Sequence, residues 1–322
     1  MDCITNFGFT VEKELFSTFL IFFSRKSHPF QYNFAAGKKC KSQLIMQRGE
    51  YSITTVDGVN LHFRYWNSES DHVCLCIVHG WGMESSVYIP FAQYLAQQGV
   101  NVTAIDLRGH GNSAGKISKI RHMAVLDRDV EVLVQESERL FPESKKILMG
   151  HQIGALLALQ YYLTHKKSVD ALILSAPMFK PAIKILASWW FRIRLLSHIF
   201  PFFLIDVSKY LGITIPNDLL KSSDNSLPFM HVKLFCEVKR IGQKMITLGY
   251  KINVPTLVMH GTEDSIALHK SSVVFARNTG FYTTFKSWSG KGHYLTEKHD
   301  VEILEYLLNW IRKTVQPSSL KA

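Results

Sequence analysis

A doubly wound α/β fold is predicted, with a mostly parallel eight-stranded sheet, helices on both faces and an inserted helical cap. Three observations predict it. Val73-Cys74-Leu75-Cys76-Ile77-Val78 is an unbroken apolar run of strand length, as expected for a parallel strand buried on both faces. Strand-like and helix-like stretches then alternate along the chain. Third, Lys146-Ile147-Leu148-Met149 runs through Gly150-His151-Gln152-Ile153-Gly154 into the apolar stretch Ala155-Leu156-Leu157-Ala158-Leu159. That is a strand, a glycine-flanked turn and a helix, the pattern that holds a side chain at the head of a helix.

Taken in order, residues 51–56 and 61–66 read as strands joined at Asp57-Gly58, an opening hairpin. The strand 73–78 leads into His79-Gly80-Trp81-Gly82, and a helix over 88–98 ends at Gly99. Strand 102–105, helix 127–140, strand 147–149, helix 155–165 and strand 171–174 follow. The alternation breaks after Ser175-Ala176-Pro177. Residues 178–252 lack buried-strand runs and are rich in bulky apolar and basic residues, as in Trp189-Trp190-Phe191-Arg192-Ile193-Arg194 and Phe200-Pro201-Phe202-Phe203. Arg192, Arg194, His198 and Pro201 exclude a membrane span there, which leaves amphipathic helices forming a cap or packing among themselves. The core resumes with a strand over 254–261, a helix over 270–277, a strand over 283–288 and a closing helix over 301–312. The core is thus expected at 46–177 and 253–315, the cap at 178–252, and a disordered tail at 316–322.

Composition narrows the function classes. With 322 residues and 47% hydrophobic content, the chain can bury a large core. The net charge of +11 is unevenly placed: residues 1–45 hold six Lys/Arg against three Asp/Glu, and residues 178–252 hold eleven against four. The basic cap suits an anionic membrane surface or an acidic ligand, and equally a solvated face. Lys38-Lys39-Cys40-Lys41 is too short and isolated for nucleic acid. The apolar run Leu15-Phe16-Ser17-Thr18-Phe19-Leu20-Ile21-Phe22-Phe23 is too short to span a bilayer and lacks the basic residues that precede it in a secretory signal. It reads as an interfacial anchor, or as untranslated sequence ahead of an alternative start at Met46. Cys3, Cys40, Cys74, Cys76 and Cys236 read as free thiols of a reducing compartment, so the expected location is cytoplasmic, with peripheral membrane contact through the cap as a further option. His110, His122, His151, His231 and His269 show no metal spacing; no metal and no cofactor are expected.

Chemistry in open α/β sheets collects at the carboxyl ends of strands. Four such ends carry suggestive residues: His79 to Gly82, Gly150 to Gly154, Asp264 and His293. The order of a Ser, then a carboxylate, then a His is the order of a hydrolytic triad on such a sheet. Here the order is Gln152, Asp264, His293. A carboxamide cannot be activated as a nucleophile by a neighbouring base. Ser113 follows the Gly109-His110-Gly111 turn and Ser175 ends a neighbouring strand; neither sits on an elbow, and neither is expected to substitute. Backbone N–H groups of Trp81 and Ile153 are placed to form an oxyanion hole, which does not depend on side-chain identity.

His79-Gly80-Trp81-Gly82-Met83-Glu84-Ser85-Ser86, Asp106-Leu107-Arg108-Gly109-His110-Gly111-Asn112-Ser113, Gly150-His151-Gln152-Ile153-Gly154, His260-Gly261-Thr262-Glu263-Asp264 and Gly292-His293 together resemble the α/β-hydrolases of the monoacylglycerol lipase and lysophospholipase type, over about residues 50–313. The resemblance implies a cofactor-free serine hydrolase that cleaves single-chain acyl esters beneath an apolar cap, with Asp264 and His293 as acid and base. Its serine has no match in this chain. Three readings follow: a hydrolase relative that binds an acyl or other apolar ligand, or a partner, without cleaving esters; an enzyme using the His293–Asp264 pair as a general base without a covalent step; and a residual hydrolase using water directly.

Overall fold

The unbroken apolar runs become the middle of an eight-stranded sheet. In the computed structural model the described residues are 47–70, 72–165, 169–182, 187–206, 229–297 and 300–315. The N-terminal extension and the C-terminal tail of the sequence reading lie outside them. Strands β1 (Arg48–Thr54) and β2 (Asn60–Trp66) form the opening hairpin, followed by β3 (Val73–Val78) and β4 (Asn101–Ile105). The later strands of the sheet are β5 (Lys145–His151), β6 (Ala171–Ser175), β9 (Thr256–Gly261) and β10 (Thr283–Trp288). Their spatial order is β1-β2-β4-β3-β5-β6-β9-β10; β1, β2 and β4 pair antiparallel and every other neighbour is parallel.

β3 shows why it carries no polar alternation. Cys74, Cys76 and Val78 enter one hydrophobic cluster, while Val73, Leu75 and Ile77 enter the cluster on the opposite face. The first face is covered by α2 (Met123–Leu140), α3 (Ile153–Thr164) and part of the later helices; the second by α1 (Ile89–Gln97) and the C-terminal helix. Cys74 and Cys76 are buried free thiols. Two helices begin two or more residues earlier than the sequence predicts. α2 starts at Met123 because the Glu237 carboxylate, remote in the chain, accepts the Met123 N–H at 3.2 Å. α3 starts at Ile153, directly on the turn at Gln152.

The segment expected as a cap, residues 178–252, divides into two kinds of structure. α4 (Ala187–Ile199), β7 (Leu204–Asp206) and β8 (Phe229–His231), the last two paired as a small antiparallel ribbon, lie outside the main sheet. α5 (Val232–Leu248) belongs to the core instead: Leu234, Phe235, Val238, Ile241 and Met245 join the cluster that holds Leu156, Leu157 and Phe275. Gly242 makes the approach close, since a Cβ there would meet the Met178 and Phe179 carbonyl oxygens at 2.6 and 2.5 Å. An amphipathic helix presents one face to a core whether it follows an insertion or not, so its sequence pattern did not distinguish the two. α6 (His269–Thr279) and α7 (Val301–Val315) complete the fold. Among the described residues no helix is long and apolar enough to cross a membrane.

Candidate active site

The site is assembled at the carboxyl ends of β3, β5, β9 and β10. At the head of β5 the chain reverses into α3 through Gln152, whose φ of 55° and ψ of −112° place a non-glycine residue in the left-handed half of backbone space. Such a conformation costs about 1–3 kcal/mol and persists only where the surroundings enforce it. Two glycines make the reversal possible. A Cβ on Gly150 would collide with the Gly154 backbone, and one on Gly154 with the Val78 and His79 carbonyl oxygens. Strand β3, β5 and helix α3 therefore meet at backbone-to-backbone distance. The backbone of Gln152 is held on both sides: its N–H donates to the Ser175 carbonyl at 3.1 Å, and its carbonyl accepts the Met178 N–H at 3.1 Å.

The Gln152 side chain is 4% exposed, and its Oε1 accepts the Trp81 N–H at 2.8 Å. Trp81 and Ile153 are the two residues whose amides were expected to form an oxyanion hole; Ile153 is the first residue of α3, where N–H groups have no intrahelical acceptor. The Trp81 donor is thus occupied by the chain's own carboxamide. Gly80 leaves the space for it, since a Cβ there would meet Gln152 Oε1 at 2.8 Å. The loop carrying Trp81 is fixed from three directions. His79 accepts the Leu107 N–H on Nε2 at 2.9 Å and donates from Nδ1 to the Gly80 carbonyl at 2.8 Å. The Trp81 indole packs edge-on against His110 at 5.0 Å and donates to the Phe229 carbonyl at 3.2 Å.

Asp264 and His293, read from the ends of β9 and β10, come together. His293 donates from Nδ1 to Asp264 Oδ2 at 2.7 Å. The carboxylate's other oxygen, Oδ1, accepts the backbone N–H groups of Ile266 and Ala267, each at 2.8 Å. Burial works to raise the Asp264 carboxyl, but hydrogen bonds from His260 and His293 outweigh it and hold the group well below the usual carboxylate range. With Nδ1 committed as a donor, the neutral ring of His293 carries its lone pair on Nε2. That atom is buried and has no hydrogen-bond partner among the described residues.

Two neighbours of this pair went unassigned in the sequence. His260 holds its Nε2 2.9 Å from the same Asp264 oxygen and donates from that nitrogen to the Ala267 carbonyl at 3.1 Å, while Ser272 Oγ lies 2.8 Å from its Nδ1. The four-residue step from His260 to Asp264, spanning a strand end and a tight turn, was the only available hint. His151, inside the elbow motif, is fully buried, with its ring centroid 4.7 Å from that of His293 and its Nδ1 3.4 Å from Glu297 Oε1. Burial pushes its pKa down to about 4, so it is neutral at pH 7. Ser175 lies at the end of β6 with its Oγ buried, and Ser113 is used structurally, donating to the Asp106 carbonyl at 2.5 Å and accepting the His62 N–H. Among the described residues no group of three His, Cys, Asp or Glu side chains is placed to hold a metal ion.

The strand ends thus bring together a sharp elbow, a backbone donor facing it, and a histidine oriented by a buried carboxylate. Residues 69–300 match the family model described as "Serine aminopeptidase, S33". The chain belongs to this α/β-hydrolase family. A putative monoglyceride lipase of Schizosaccharomyces pombe is 28% identical over 284 residues, covering 80% of this chain and 73% of that protein. An uncharacterized abhydrolase domain-containing protein of Dictyostelium discoideum is 25% identical over 274 residues; the match covers 82% of this chain but only 29% of that longer protein. Among solved structures, a soluble variant of monoglyceride lipase from Saccharomyces cerevisiae, in complex with a substrate analog, superposes with a TM-score of 0.69 at 20% identity, covering 88% of this chain and all of that one. The fold is thus the monoacylglycerol lipase-like α/β-hydrolase fold.

Proposed function

We propose that this lipase-like member of the family binds single-chain acyl esters, or an apolar ligand of similar shape, while ester hydrolysis is impaired at Gln152. The observation that carries the reading is the 2.8 Å hydrogen bond from the Trp81 N–H to Gln152 Oε1. In a serine hydrolase the nucleophile adds to the ester carbonyl, the histidine takes its proton, and oxyanion donors hold the negative oxygen that forms. Gln152 removes two of these parts. Its nitrogen is delocalised and does not attack, and its oxygen occupies a donor that the tetrahedral intermediate needs. Loss of a nucleophile alone typically costs about six orders of magnitude in turnover. The names of the yeast lipases support the acyl-ester class of ligand.

A second reading rests on one specific observation. His293 Nε2 is buried, unpartnered among the described residues and backed by an ionised Asp264, which is the arrangement of a general base. It would act on a substrate or water without a covalent step.

Monoacylglycerol hydrolysis by the wild-type protein, Gln152→Ser, Gln152→Ser/His293→Ala and His293→Ala decides between them. The expected result is a silent wild type, an active Gln152→Ser and a silent double variant. Turnover in the wild type that disappears with His293→Ala would favour the general-base reading and overturn the proposal.

A further inference from the structure

Away from Gln152, Asp264 and His293, helices α4 and α5 face one another across a cleft of about 650 Å³, lined by neither the elbow nor the histidine pair. α4 offers Trp190 and Arg194, one turn apart, and α5 offers Lys233, Glu237 and Arg240, also one face of a helix, with Lys239 beside them. The charge is one-sided. Among the described residues lining the cleft, Glu237 is the only carboxylate, and it is turned to the Met123 N–H at 3.2 Å and to His122 at 3.4 Å. Arg194, Lys233, Lys239 and Arg240 have no ion-pair partner among the described residues. Lys239 instead holds its ammonium 3.2 Å from the centroid of the Trp190 ring, and burial pushes its pKa below the ordinary lysine value. A desolvated cation resting on an aromatic face gains from an anion brought to it.

Beside the basic face of α4 runs an apolar one. Phe191, Leu195 and Ile199, each one position after or a turn from a cleft residue, are more than half exposed, and so are Phe200, Phe202 and Phe203 in the segment that follows. Six large apolar side chains clustered in sequence on one exposed segment form a surface that water does not favour. Next to a basic cleft they have the composition of an interfacial helix.

We propose that the α4–α5 cleft binds the phosphate headgroup of an anionic lipid at a bilayer surface, with the apolar strip of α4 inserted beside it. Arg194 and Arg240 face it from opposite helices, and guanidinium forks match phosphate oxygens in pairs. Lys233 and Lys239 add point charges. The strip explains why the phosphate is a lipid's: a free phosphate needs the cations alone.

The full chain is tested by flotation with three kinds of vesicle: phosphatidylcholine alone, phosphatidylcholine with phosphatidic acid, and phosphatidylcholine with oleate at equal surface charge. Binding is expected to the phosphatidic acid vesicles above both others. Arg194→Gln/Arg240→Gln is expected to weaken it about tenfold or more. The exposed pair Lys145→Gln/Lys313→Gln, which removes the same charge from the core, is expected to change it by less than about twofold. Leu195→Asp, with the cleft intact, is also expected to weaken it. Equal losses in the two charge pairs, or equal binding to oleate vesicles, would reduce the effect to net charge and overturn the site. A Leu195→Asp protein that floats like the wild type overturns the lipid as source. Binding of inorganic phosphate without flotation, lost in Arg194→Gln/Arg240→Gln, overturns it as well. The outcome is independent of Gln152, so it stands or falls apart from the hydrolysis assays.

Discussion

Single side chains in this protein carry burial costs that pH can read. Asp127 is largely buried beside Gln160, and burial, with Glu237 and Asp129 nearby, pushes its carboxyl up to about 7 against a relieving hydrogen bond from Gln160. A raised carboxyl favours the folded state fully below the unfolded value near 3.8, and that stability is lost as pH rises through 7. Asp127→Asn cannot ionise and keeps an acceptor for Gln160. It is therefore expected to gain on the order of 2 kcal/mol over the wild type in urea unfolding at pH 8, with the difference closing at pH 4. His110 and His151 act in the opposite direction. Burial lowers them to about 3 and about 4, so their contribution is complete above pH 6.5 and is lost as pH falls towards those values. Part of the site was legible at this scale. Gln152, Asp264 and His293 stand at strand ends in an order that chemistry recognises. The contact from Trp81 to Gln152 Oε1 was not, because which way a carboxamide turns depends on the space left by Gly80, a residue seventy-two positions earlier. His260 was missed for a similar reason: its role comes from a shared oxygen, not from a motif.

At the scale of elements, the junction of β3, β5 and α3 sets the tolerances. Gly154→Ala puts a methyl group against two backbone carbonyls that cannot rotate away, and the expected loss is about 1–3 kcal/mol in urea or thermal unfolding. Gly292→Ala is the matched control. A Cβ there meets nothing within 4 Å, so its unfolding midpoint is expected to stay with the wild type. A Gly154→Ala protein as stable as the control would mean that the elbow is looser than its contacts imply. Strands were the most legible elements, since β3 is apolar throughout, β6 is apolar up to its terminal Ser175, and β9 has the apolar centre Leu257-Val258-Met259. Helix ends were less so: the start of α2 is set by Glu237, which arrives from another helix. α5 was read with the cap because its sequence is amphipathic and basic, and only packing against Met178 and Phe179 tells which face is buried.

Across the whole molecule, a few polar contacts tie distant parts of the chain. The Tyr88 hydroxyl donates to Glu297 Oε1 at 2.8 Å across 209 positions, joining the start of α1 to the loop after His293, and both side chains are buried. Tyr88→Phe keeps the ring and leaves that carboxylate oxygen without its donor. The expected cost is about 1–3 kcal/mol in urea unfolding, and the buried position of Glu297 beside His151 predicts that the loop after His293 loses amide-exchange protection first. Unchanged unfolding would place this tie outside the stability of the fold. Arg108 works similarly, contacting Asp129 at 2.7 Å and Asp57 at 2.8 Å, and so fixing the first hairpin to α2. The architecture was legible from the alternation of patterns. These long-range ties were not, since no local signal pairs residues that far apart.

The elbow at Gln152 has a consequence for how this protein is found at all. Fluorophosphonate probes, which report serine hydrolases in cell extracts by phosphonylating the elbow hydroxyl, meet a carboxamide here and leave no covalent mark. A proteome surveyed that way registers the chain as missing even where it is abundant. On the proposed reading the same feature turns a handicap into a tool, because an ester that enters the site is not consumed by it. Lipids extracted from the purified protein would then carry the intact natural ligand, and mass spectrometry could read it directly.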